Sequence, residues 1–127
     1  MKAKLIAYWI ITVLFALAMG AGGVFDVIQP GDMKADMLKT GYPDFFFKIL
    51  GFWKIAGVVT LLVPGLALVK EWAYAGFIFN LTGASATHYF LADPLMNQIV
   101  PIIILAIGAA SYLLRPDDRR LPGTPKL

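Results

Sequence analysis

Four apolar runs, Leu5 to Ile28, Phe45 to Val63, Leu66 to Ala92 and Met96 to Leu114, take up most of this 127-residue chain. Each has at least 19 residues, and a hydrocarbon core about 30 Å thick is crossed by about 20 residues rising 1.5 Å each. The runs are continuous, whereas a membrane-spanning strand would be a segment of about ten residues alternating in polarity. They therefore predict an all-α integral membrane protein, an antiparallel four-helix bundle. Composition agrees: 59% of residues are hydrophobic and 15% charged, against about 25% charged in soluble domains.

Residues 1–127 read as a single four-span domain, with spans at about 5–28, 45–63, 66–92 and 96–114 and a tail over 115–127. A signal peptide cut after Ala18 is the competing reading of the start. The first run is longer than the 7–15 residues of a signal core, so a retained helix is expected. The longest polar connection, Gln29 to Asp44, has room for a short amphipathic turn around Met33 to Leu38. Pro64-Gly65 and Asp93-Pro94 mark tight links between the later spans. Lys and Arg near span ends divide seven to three, with Lys2, Lys4, Lys70, Arg115, Arg119, Arg120 and Lys126 against Lys34, Lys39 and Lys48. Both termini are thus expected in the cytoplasm. The net charge of +3 belongs to this membrane topology and predicts no nucleic-acid partner.

Cysteine is absent and histidine occurs once. Thiolate metal sites, iron–sulfur ligation and a pair of axial haem histidines are therefore outside what one chain can supply. No metal site and no intrinsic cofactor are expected; any redox role would use a borrowed group.

Lys54 stands out because it lies halfway along the second run. An ammonium at that depth costs from about 3 to 10 kcal/mol or more unless it is partnered or hydrated. Gly51, Lys54, Gly57 and Val58 share a helix face, and Ala16-x-x-x-Gly20 and Ala18-x-x-x-Gly22 repeat small residues on the first helix, as close helix packing in lipid requires. On the third run, Gly76, Asn80, Ala84 and His88 recur every four residues, a stripe expected to face protein or a cavity. Lys54 and Asn80 lie within roughly 5 Å of the same depth and are read as candidate ligand-binding groups, Trp53 lining the site. Glu71 is a further candidate if its helix begins near Leu66. His88 and Asp26 share a level near the opposite end and are candidates for a proton relay. Tyr8, Thr12, Ser111 and Tyr112 lie at comparable depth and raise a polar inner chamber.

Several segments carry a family resemblance over nearly the whole chain: Tyr8-Trp9-Ile10-Ile11-Thr12, Gly41-Tyr42-Pro43, Gly51-Phe52-Trp53-Lys54, Pro64-Gly65, Lys70-Glu71-Trp72-Ala73-Tyr74-Ala75-Gly76, Gly83-Ala84 with His88, Pro101, and Ser111-Tyr112-Leu113-Leu114-Arg115-Pro116. In order and spacing they resemble the DoxX-like family of small four-helix bacterial membrane proteins. One departure is Asn80, where family members often carry Asp, so an ion pair with Lys54 becomes a neutral hydrogen bond. The resemblance implies the bacterial cytoplasmic membrane, contact with lipid, and a subunit of a quinone-linked oxidoreductase with a soluble or membrane redox partner. Such a subunit would not be an autonomous enzyme. The competing readings are a binding or transport protein for a small anion or lipophile, acting as a homo-oligomer, and a non-enzymatic scaffold or assembly factor.

Overall fold

The computed structural model describes residues 2–127 and is helical throughout. The helices are α1 (Lys2–Ile28), α2 (Asp32–Leu38), α3 (Asp44–Leu62), α4 (Ala67–Phe90) and α5 (Leu95–Leu113), followed by a 3₁₀ turn at Asp117–Arg119. The four long helices lie within a few residues of the four apolar runs, and α2 falls where the polar connection has room for it. α1, α3 and α5 are each long and apolar enough to cross a membrane. α4, 24 residues long, runs antiparallel to its neighbours α3 and α5 but carries Lys70, Glu71, Asn80 and His88. Around the bundle the order is α1, α3, α4, α5, with α5 closing back on α1. We call the end carrying α2 the loop face and the end carrying both termini the tail face.

The exterior is apolar. Phe79 is 75% exposed and Phe90 82%, and Leu17, Phe45, Phe52, Trp53 and Trp72 are also exposed. A soluble monomer rarely shows so continuous an apolar surface; hydrocarbon accepts it.

Glycines set how closely the helices approach. At the α1–α3 crossing, a Cβ on Gly51 would lie 2.5 Å from the Gly23 carbonyl oxygen, and one on Gly23 would lie 3.0 Å from the Gly51 oxygen. The seam therefore runs through Gly23, whereas Gly20 and Gly22 of the sequence motifs have looser surroundings. Nearer the centre, Phe15 of α1 and Phe77 of α4 meet edge to face with ring centroids 5.2 Å apart. Gly57 leaves room for the Phe77 ring and Gly108 for Phe15, so all four long helices meet there. Met19, Leu61, Tyr74 and Leu81 complete this core.

The tail face is closed by cations. An α-helix leaves its last carbonyls without intrahelical partners. At the end of α3, Lys70 Nζ donates to the carbonyls of Thr60, Val63 and Gly65, using all three of its donors. Arg119 Nη2 donates to Leu61, Leu62 and Val63 at 2.9 Å each, and its guanidinium lies 4.7 Å from the Trp9 ring centre. Positive charge at a helix carboxyl end also complements the helix dipole. Lys70 and Arg119, expected as charges flanking the spans, are thus buried caps. Arg115 is buried as well. It pairs with Glu71 and lies 3.6 Å from the Tyr112 ring centre.

Two outcomes test this packing. Gly51→Ala is expected to cost about 1–3 kcal/mol by overpacking, lowering the midpoint of heat-induced aggregation in detergent. Gly76→Ala, whose added Cβ meets nothing within 4 Å, should leave that midpoint in place, and equal midpoints for the two variants would rule out the close crossing. Arg119→Ala uncovers three carbonyls and is expected to cost about 2 kcal/mol, the scale of hydrogen bonds from a charged donor, in the same measurement.

Candidate functional site

The Gly23–Gly51 contact brings together two ionised side chains. Helix side chains tilt toward the amino end of their own helix. Asp26 starts nearer the loop face than Lys54 and leans inward along α1; Lys54 leans outward along α3. They meet with Nζ 2.7 Å from Oδ2, and both side chains are largely buried at 15% and 11% exposure. A Cβ on Gly22 would make only ordinary contact with Nζ, at 3.6 Å.

This arrangement corrects two expectations. Lys54 is not hydrogen-bonded to Asn80: the two start at similar depth, but on antiparallel helices they lean opposite ways. Asp26 and His88 do not pair either. Asp26 is held by Lys54, and His88 Nδ1 lies 2.7 Å from Asp93 Oδ2 in the α4–α5 turn. Glu71 lies about one turn inside α4, as expected for a helix starting near Leu66, but it belongs to the tail face, where it accepts from Arg115 and from Tyr112 Oη at 2.9 Å. The polar chamber raised by Tyr8, Thr12, Ser111 and Tyr112 is instead a packed cluster. Thr12 Oγ1 lies 2.6 Å from Ser111 Oγ, which lies 2.8 Å from Tyr74 Oη, and Tyr8 accepts from Arg119. Sequence reading missed the Asp93 and Arg115 partners. Asp93 lies in a turn, and Arg115 comes four residues before the 3₁₀ turn's last residue; neither position carries a helical periodicity that would point at its partner.

The open space lies between α3 and α4, the least tightly joined neighbours in the bundle. A cleft of about 840 Å³ runs there, roofed at the loop face by Met33, Met37, Thr40 and Tyr42 and lined mainly by Trp53, Lys54, Gly57, Trp72, Gly76, Phe77, Asn80, Gly83 and His88. Gly76 and Gly83 have no atom within 4 Å of where a Cβ would stand, which leaves the α4 wall flat. The cleft thus gathers Lys54, Asn80, Trp53, Asp26 and His88, but not Glu71. The Asn80 side chain makes no hydrogen bond among the described residues, so its amide is free toward the cleft. Tyr42 Oη lies 3.3 Å from Thr87 Oγ1 at the rim. Among the described residues, no three His, Asp or Glu side chains gather as a metal ion would need.

A helical bundle with an apolar exterior and a cleft open to the side defines a multi-pass membrane protein with an internal polar site. Residues 10–111 match the DoxX-like family model, and the chain belongs to that family. No curated protein and no solved structure matches it significantly.

The ion pair makes a definite prediction. Asp26→Asn leaves an ammonium with little water and no counter-charge, and is expected to cost about 3 kcal/mol, the lower end for breaking a buried pair. Adding Lys54→Met should restore most of the lost stability. A double-mutant cycle on the aggregation midpoint reads the coupling; additive effects would mean that the pair does not form.

Proposed function

We propose that this protein is the membrane subunit of a quinone-linked redox complex in the bacterial cytoplasmic membrane, with both termini in the cytoplasm, and that the α3–α4 cleft holds the quinone. The observation carrying this reading is a membrane-depth cleft, open to lipid, in which Lys54 and Asn80 both have donors to spare. Lys54 spends one donor on Asp26 of the three that an ammonium has. A quinone headgroup presents two carbonyl oxygens on a flat apolar ring. Lys54 and Asn80 would donate to those oxygens, and Trp53 and the flat glycine wall would flank the ring. When bound, the quinone supplies the two-electron chemistry; the chain contributes binding, orientation and protons.

His88 and Asp26 are suited to the proton role. With Nδ1–H held by Asp93, a neutral His88 ring keeps Nε2 as an acceptor beside the cleft. Asp26 reaches the cleft through its contact with Lys54. With no cysteine and one histidine in the sequence, electrons would come from a partner protein. The Lys54–Asp26 pair weighs against the competing small-anion reading, because the lysine charge is already neutralised.

Mass spectrometry of lipophiles co-purified in mild detergent tests the reading. Wild type is expected to retain near-stoichiometric quinone, and the Asp26→Asn, Lys54→Met double variant, which leaves no unpaired charge, to lose most of it at unchanged yield of folded protein. Bulk lipid alone in both samples would overturn the quinone assignment.

A further inference from the structure

The α3–α4 cleft is long as well as open. Its α4 wall extends from Val69 to His88, a rise of about 28 Å at 1.5 Å per residue, nearly the whole hydrocarbon thickness of about 30 Å.

Polarity divides this length. From Asn80 to the loop face the lining includes Lys54, Asp26, Thr87 and His88. From Asn80 to the tail face the polar groups among the described lining side chains are the Thr60 hydroxyl, which donates to the Ala56 carbonyl at 2.9 Å, and the indole N–H of Trp72. Charge also constrains the occupant: with Lys54 and Asp26 paired, the polar half offers hydrogen bonds without an uncompensated cation.

We propose that the cleft takes a neutral amphiphile lying lengthwise, its head between Lys54 and Asn80 and its chain running along α4 to Trp72. This rests on the lipophile reading of the cleft and specifies which lipophile and which way round. An anion fails on charge, and a head at the tail-face end would meet only the Trp72 indole N–H and the Thr60 hydroxyl, against Lys54, Asn80 and His88 at the other end.

Trp53 and Trp72 line the cleft at different depths and serve as built-in reporters. Two full-length variants in detergent, Trp9→Phe with Trp72→Phe and Trp9→Phe with Trp53→Phe, each leave one of them. The probes are a monoacylglycerol brominated at the chain end, which is neutral and not redox-active, and a quinone with a saturated alkyl tail. The bromine is expected to quench Trp72 saturably and more than Trp53, and the quinone ring to quench Trp53 more than Trp72. Asn80→Leu, which removes a side chain with no protein partner, should raise the half-saturating concentration about fivefold, the scale of one hydrogen bond. Saturable quenching of Trp72 by the bromolipid with none by the quinone keeps this proposal and overturns the quinone reading. Quenching that rises linearly with either probe, or a quinone that favours Trp72, overturns the proposal itself.

Discussion

Everything near the loop face depends on two helices touching without side chains between them. Gly23 and Gly51 bring the α1 and α3 backbones close enough for Asp26 to reach Lys54. Without that contact the lysine would have to leave the bundle or find water, because an isolated ammonium is not tolerated at this depth. In lipid there is little hydrophobic force between helices, so close backbone contact and polar bonds carry association. Here one crossing provides both. The pair then has a functional consequence, since it holds Lys54 Nζ at the cleft wall with its charge compensated.

The opposite end is organised by a different rule. α3 ends in carbonyls that hydrocarbon cannot satisfy, and Lys70 and Arg119 satisfy them from α4 and from the tail. Arg119 comes from beyond residues 10–111, the part matched by the family model. The two ends of the bundle therefore differ in tightness. At the tail face α3 and α4 are clamped by Lys70, and nearer the centre Gly57 packs on Phe77; along the rest of the α4 wall nothing fills the space beside Gly76 and Gly83. The clamp at the tail face and the small residues along α4 leave a cleft open to the side and roofed at the loop face.

The helices were legible in the sequence because each long apolar run exceeds what a bilayer crossing needs. The partners of the polar groups were less so. Lys54 announced itself as a buried cation, and Asn80 and His88 as a stripe on one helix face. Their partners, however, depend on which way side chains lean on antiparallel helices and on how high each helix starts. Equal depth suggested Lys54 with Asn80 and Asp26 with His88, and opposite lean separates the first of these pairs. Short turns explain the second: Asp93, five residues beyond His88, reaches its ring across the α4–α5 link. Arg115 and Arg119 looked like topology signals because charge counts treat every Lys or Arg near a span end alike, whereas here they are spent on Glu71 and on the α3 carbonyls.

The structure also gives a physical reason for Asn80. A carboxylate at this position, facing a lysine across a cleft, would be a sensible ion pair. In this chain Asp26 already neutralises Lys54 from α1. A second carboxylate on α4 would carry a charge without a partner in a site with little water, at a cost of several kcal/mol unless it took up a proton. An amide avoids that cost while keeping both a donor and an acceptor directed at the cleft. The identity of residue 80 thus follows from which helix supplies the counter-charge, and it leaves the cleft polar but uncharged at the depth where a ligand head would lie.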